Sequence, residues 1–203
     1  VWGYAEKLRI LCTRELQVSI KESFHAEVKN AIASTPWLAA HYDVGIDYIR
    51  GKNGTEFIFR GLRHNMSAIK SMAQIDLCII EEAEDVPETS WQGLEPTIRA
   101  EGSEIWAVWN PKKDGSPVDN RFRKNSPPRA VIVELSYSDN PWFPSVLDEQ
   151  RQHQQRVLDP ATYAHIWEGA YLQHSAAQVF RDKYRIDEFT PSTGWDGPYF
   201  GVD

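Results

Sequence analysis

The chain has 203 residues, 22 Lys and Arg against 29 Asp and Glu for a formal net charge of −7, and an apolar content of 41% with eight each of Trp, Tyr and Phe. That length suits one medium domain, or one domain and a piece of another, and the apolar content supports a true core. The charge argues against a generally basic nucleic-acid coat, though not against a local basic groove, and no apolar run approaches the roughly 18 residues of a membrane span.

The opening residues Val1-Trp2-Gly3-Tyr4 are neither a signal peptide nor an initiator Met, so the expectation is a chain that starts inside a longer protein. Leu8 to Thr13 is a short β-rich run. A helical pattern follows from about Leu16 to Ala33, with Ile20, Phe24, Val28 and Ile32 on one face, and Ser34-Thr35-Pro36 ends it. Segments 46–50 and 55–60 flank Gly51-Lys52-Asn53-Gly54 and predict a hairpin. Residues 60–65 read as a polar loop and 67–72 as a short helical turn. Ile75 to Ile80 is an apolar run that predicts a strand buried on both faces. Pro87 to Ser90 starts a helix that carries Trp91, Leu94 and Ile98, with Gly93 and Pro96 arguing against regularity. Ile105 to Trp109 predicts another buried strand, stopped by Asn110-Pro111. Residues 112–128 form a long polar loop, and Ala130 to Leu135 predict a further strand. Helices are expected at 146–157 and 160–167, and 180–197 reads as a linker because it is rich in charge, Pro, Gly and Ser. The alternation of strands and helices predicts an α/β fold with a largely parallel sheet. Cys12 and Cys78 fall in predicted strands and read as small buried apolar residues.

The strand at 75–80 runs into Glu81 and Glu82. Two acids at the carboxyl edge of a parallel sheet are costly to desolvate unless something positive meets them. A magnesium ion with a nucleotide phosphate satisfies that need, one acid helping to hold the metal and the other orienting water. The competing reading is a solvated acidic turn that caps the next helix.

Several motifs occur in a fixed order: Arg14-Glu15-Leu16-Gln17, Glu81-Glu82-Ala83, Asn110-Pro111, Asp139-Asn140-Pro141-Trp142-Phe143, His165-Ile166-Trp167-Glu168-Gly169 and Tyr199-Phe200-Gly201-Val202-Asp203. Together these resemble the large subunit of tailed-phage terminase, the DNA-packaging motor. The resemblance implies a P-loop NTPase-like α/β fold with a mostly parallel sheet flanked by helices. Residues 1–175 would be a partial ATPase domain with a helical appendage at about 143–170, residues 176–197 a linker, and 198–203 the first strand of an RNase-H-like nuclease domain. The family's Gly-Lys-Ser/Thr phosphate loop does not occur in this sequence, which implies a fragment cut between that loop and the nuclease. The isolated fragment is expected to be inactive.

By the resemblance, Glu81 takes the metal-side position of the Walker B strand and Glu82 that of the catalytic glutamate; the family usually has Asp where Glu81 stands. Asn110 matches the coupling motif that senses the γ-phosphate. Arg14, at a predicted strand end, is a candidate for contact with the base or phosphates, and Arg63 a candidate for the arginine offered to a neighbouring subunit. Asp203 would be the first metal-binding acid of the nuclease, which needs several such acids. The implied cofactors are ATP and Mg2+, with divalent metal ions for the nuclease of the full-length protein. The implied partners are double-stranded DNA, other large subunits in a ring, the small terminase subunit and the portal protein, with no membrane, in the cytoplasm of the infected bacterial host. Glu84 and Asp85 read as a solvated turn, Trp106 and Trp109 as core, and Arg121, Arg123, Lys124 and Arg129 as either a DNA-backbone contact or a solvated loop. Two other readings stay open: a non-catalytic α/β binding or assembly module, and another P-loop ATPase such as a helicase.

Overall fold

The computed structural model describes residues 1–16, 20–72 and 74–172, and of residues 21 and 22 only the backbone. Its frame is a six-stranded sheet: β1 (Arg9–Arg14), β2 (Tyr42–Val44), β3 (Ile49–Gly51), β4 (Glu56–Gly61), β5 (Leu77–Ile80) and β6 (Glu104–Ala107). The spatial order is β2-β3-β4-β1-β5-β6. β1 pairs in parallel with β4 and β5, and β5 with β6; β2, β3 and β4 form an antiparallel meander at one side. β1 lies at the centre, and Ile10 to Arg14 are all buried. The carboxyl ends of β1, β4, β5 and β6 therefore share one edge, which is where open α/β sheets present side chains to ligands.

The predicted hairpin is β3–β4, in register Ile49 with Phe57. Gly54 supplies the left-handed backbone of the turn at φ +87°. Asn53 does a second job there: its amide donates to the carbonyls of Gly3, Tyr4 and Glu6, which fastens a short helix, α1 (Trp2–Ala5), to the sheet.

Two hydrophobic layers sandwich the sheet. On one face Leu11, Cys78 and Ile80 meet Leu62 and Ile69 of α2 (Leu62–Lys70) and Trp91 and Leu94 of α3 (Glu88–Leu94). On the other, Ile10, Cys12 and Leu77 meet Ile20 and Ile32. Ile20 precedes a wide π-helical turn, Lys21–His25, which continues as a helix at Ala26–Ala33. Helices α2 and α3 approach closely at Gly93, where a Cβ would lie 2.8 Å from Met66 Sδ. The irregularity expected from Gly93 and Pro96 is real but local: the α-helix stops at Leu94 and a 3-10 turn, Glu95–Thr97, follows. Both cysteine thiols are buried, which pushes their pKa up, Cys78 to about 12; they are core groups, as expected.

Three expectations need correction. Residues 60–65 are not a loop: α2 starts at Leu62, and Leu62, Met66 and Ile69 fall on one helical face. The long loop after β6 holds a helical turn at Pro117–Asp119 that widens into a π-turn at Asn120–Lys124. Residues 130–135 form no strand; Val131, Ile132, Val133 and Leu135 are exposed. The expected C-terminal helices are present as Ser145–Val157 and Pro160–Trp167. The predicted linker at 176–197 and strand at 198–203, Asp203 included, lie outside the described residues. Among the described residues no helix is long and apolar enough to cross a membrane.

Candidate functional site

Parallel pairing of Thr13 with Ile80 places the residues that follow them side by side, Arg14 after β1 and Glu81 after β5. The ladder extends one step further, with the Glu81 amide donating to the Thr13 carbonyl at 2.9 Å. Arg14 is buried, its side chain only 8% exposed, and it answers the electrostatic demand of the acid pair. Its Nη2 lies 2.5 Å from Glu82 Oε1 and its Nε 3.7 Å from Glu81 Oε2. Arg14 Nη1 donates to Ser23 Oγ at 3.0 Å, and Ser23 Oγ donates to Glu81 Oε2 at 3.2 Å. Ser23 is delivered by the π-turn, a distortion that often sits at functional sites. Nothing in the local sequence singles it out; it becomes visible only once the helix lies over the strand ends.

Glu82 takes a left-handed backbone, φ +50° and ψ +48°. A non-glycine residue there stores on the order of 1–2 kcal/mol, and such strain is characteristic of residues that a site must aim. Its carboxylate is 62% exposed, while that of Glu81 is half as accessible at 31%. Glu82 faces an open cleft of about 280 Å³, lined also by Arg14, Glu15, Leu16, Arg63 and Asp85. Arg63, in the first turn of α2, donates its amide to the Glu15 carbonyl at 3.1 Å, so its backbone is anchored to the strand end that carries Arg14. Three of the predicted site residues thus meet at one cleft, with Glu81 behind them. Asn110 ends the neighbouring strand: Val108, two residues earlier, accepts from the Ala83 amide and donates to the Ile80 carbonyl, both at 2.9 Å. Asn110 is exposed at the same sheet edge.

Removal of Arg14 leaves two adjacent carboxylates facing each other. Arg14→Ala is expected to lower stability by about 1.5–3 kcal/mol, the scale of a charged hydrogen bond, in urea unfolding. The loss should be partly recovered by adding Glu81→Gln. No recovery would mean that the arginine acts through packing alone.

Asp85 is exposed, as expected of a solvated turn, but Glu84 is half-buried and bonded to the loop after β6. Glu84 Oε1 accepts from the amides of Lys112 and Lys113 at 3.3 and 3.0 Å, and its Oε2 from Ser116 Oγ at 2.9 Å. Asp85 pairs with Lys112 Nζ at 2.8 Å, which raises the Lys112 pKa. The turn after β5 is thereby clamped to the loop after β6. That loop is clamped in turn by buried Asp119, which accepts from the Gly115 amide at 3.0 Å and from the Tyr171 hydroxyl at 2.5 Å. Burial works to raise the Asp119 carboxyl, but Tyr171, Gly115 and the cations Lys124 and Arg123 outweigh it and hold its pKa below the ordinary 3.8. A depressed carboxyl pKa contributes stability that is complete above the unfolded value and lost as pH falls through the folded one. Asp119→Asn is therefore expected to flatten the loss of stability with acidification below about pH 4, read as urea midpoints across pH 2–6. An unchanged acid limb would remove Asp119 from the account.

The basic cluster is mostly neutralised within the chain. Arg121 meets Glu88 at 2.5 Å and Glu95 at 2.9 Å, Arg123 meets Glu134 at 2.7 Å, and Lys124 meets Asp114. Arg121, Arg123 and Lys124 thus brace the fold through these ion pairs. The tryptophans divide: Trp109 packs against Phe122 in the core, whereas Trp106 is exposed and donates to Glu104. Among the described residues no group of three or more His, Cys, Asp and Glu is arranged to hold a metal ion.

The family model for the phage terminase large subunit matches residues 3–170. The chain belongs to the phage terminase large subunit family. Solved structures agree at the level of fold. The large terminase of the thermophilic bacteriophage D6E superposes with a TM-score of 0.61 at 14% identity, over 80% of this chain and 41% of that one. The same protein in complex with ADP gives 0.58 at 14% identity, over 80% and 40%. The ATPase domain of the large terminase of Thermus phage P74-26 gives 0.57 at 13% identity, over 82% and 78%. No curated protein sequence matches the chain. This terminase chain spans about two fifths of the length of the D6E large terminase.

Proposed function

We propose that this chain supplies the acid-bearing part of the ATP-hydrolysing domain of a terminase large subunit, which drives double-stranded DNA into a procapsid. The observation that carries the proposal is the Arg14–Glu81–Glu82 set, met at the carboxyl edge of a parallel sheet and opening on a cleft with Arg63. Glu82, strained and accessible, is placed to accept a proton from water as that water attacks the γ-phosphorus. The new P–O bond forms as the bond to the β–γ bridging oxygen breaks, giving ADP and phosphate. Arg14 would meet phosphate charge within the cleft, and Arg63, which also lines it, is the candidate for the arginine offered to a neighbouring subunit. Asn110, at the adjacent strand end, offers an amide to the water or the phosphate.

The oxygen donors of Glu81, with Ser23 Oγ beside it, suit a hard divalent cation, which takes one or two carboxylates and completes its shell with water and phosphate. Bound there, Mg2+ would neutralise charge developing on the phosphates. That the D6E protein has been solved with ADP and with ATP-γ-S supports a nucleotide as the ligand. In the full-length protein we assign Asp203 to the metal site of a nuclease domain. Other large subunits in a ring, the small subunit and the portal are the assembly partners, all in the cytoplasm of the infected bacterial host.

The lack of a Gly-Lys-Ser/Thr loop in this sequence favours a second reading for the isolated chain, a non-catalytic module. ATP binding and DNA-stimulated hydrolysis separate the two. The full-length protein should do both, and the isolated chain should bind ATP weakly and hydrolyse it negligibly. Absence of DNA-stimulated hydrolysis in the full-length protein would overturn the motor reading, and duplex unwinding would point to a helicase.

A further inference from the structure

One guanidinium, that of Arg14, faces two carboxylates at the end of β5, and the geometry decides which of them it neutralises. Arg14 Nη2 meets Glu82 Oε1 at 2.5 Å, a charge-assisted hydrogen bond. Its Nε stands 3.7 Å from Glu81 Oε2, too far for one. Ser23 fills that gap. Its Oγ accepts from Arg14 Nη1 at 3.0 Å and donates to Glu81 Oε2 at 3.2 Å. The order is fixed by chemistry, because a guanidinium only donates, an ionised carboxylate only accepts, and a hydroxyl does both.

The backbone that carries Ser23 is held from outside the site. Phe24 and His25, the next two residues of the π-turn, set their rings edge-on to Phe59 of β4 at 6.2 and 4.9 Å. Ile20, just ahead of the turn, is fully buried in the same hydrophobic layer as Phe59. Phe59 pairs in register with Cys12 of β1, two residues before Arg14. A change at the Ser23 side chain leaves all of these anchors in place.

We propose that Ser23 is a positioning residue. Its hydroxyl, set between Arg14 and Glu81, keeps the guanidinium on Glu82 and leaves Glu81 as the carboxylate with charge to offer a divalent cation. The inference rests on the proposed function in taking that cation to be the one bound with the nucleotide. Without the hydroxyl, Arg14 Nη1 loses an acceptor and Glu81 Oε2 a donor, while the two side chains stay within reach of each other. The arginine then forks across both glutamates, and Glu81 has less charge to give.

Ser23→Ala in the full-length protein tests this. Ala is the better helix former, so the substitution does not threaten the turn. The Mg2+ concentration for half-maximal ATP hydrolysis should rise about 10–100-fold, the usual effect of losing a partner that orients a metal-side ligand. At saturating Mg2+, kcat should stay within a few-fold of wild type. Ser23→Thr keeps the hydroxyl and should restore the wild-type requirement. A second readout does not depend on activity: in a crystal structure of the metal-free Ser23→Ala protein, an Arg14 nitrogen should lie within about 3 Å of Glu81. An unchanged Mg2+ requirement, a kcat loss at every Mg2+ concentration, no rescue by Thr, or an Arg14–Glu81 separation still at 3.7 Å overturns the inference. If the wild-type full-length protein hydrolyses no ATP but the variant shows the closer Arg14–Glu81 contact, the positioning role stands and the proposed function falls.

Discussion

Glu82→Gln, made in the full-length protein, is expected to lower kcat for ATP hydrolysis by a factor on the order of 10²–10⁴, the usual contribution of a positioned general base, with ATP affinity little changed. Gln keeps the length, the left-handed backbone and a hydrogen bond to Arg14, and loses only the capacity to accept a proton. A variant with kcat within a few-fold of wild type would show that another group activates the water. Glu81→Gln should behave differently. It sits behind Glu82, half as exposed and bonded to Ser23, so its loss should appear chiefly as a raised Mg2+ requirement. The contrast between the two substitutions is the measurement that separates their roles.

The largest effect on stability is expected at Trp91. Its ring is fully buried, 5.6 Å from the Phe122 ring and beneath the Arg121 guanidinium at 5.4 Å. Trp91→Ala should destabilise by about 3–5 kcal/mol, a large share of the roughly 5–15 kcal/mol available to a domain. Trp91→Phe should cost much less, because the indole Nε1 makes no hydrogen bond in its buried place and Phe dispenses with that donor. The pair of urea curves decides the point: equal losses for Ala and Phe would mean that ring packing is not what holds the layer together.

Much of the frame was legible because its signals are local. The run 75–80 and the Asn-Gly hairpin declare themselves by composition and turn chemistry: the strand at Leu77–Ile80, the second hairpin strand and the Gly54 turn fall where the pattern puts them, while the first hairpin strand is only Ile49–Gly51. The meeting of Arg14 with Glu81 and Glu82 was not legible, since it depends on parallel register between segments more than sixty residues apart. Ser23, Glu84 and Asp119 escaped for the same reason: each acts through a partner that only tertiary folding supplies. Residues 130–135 failed in the opposite direction. Their β-propensity is real, but propensity becomes a strand only when backbone partners are present, and the described residues provide none.

The clamps around the acid turn join it to two later stretches of the chain. Glu84, two residues after Glu82, accepts from the backbone of Lys112 and Lys113; the Lys112 carbonyl accepts from the Leu172 amide at 2.9 Å, and the Tyr171 hydroxyl donates to Asp119. The acid turn, the loop after β6 and the segment 171–172 are thus tied by one continuous set of hydrogen bonds, like links fastened end to end.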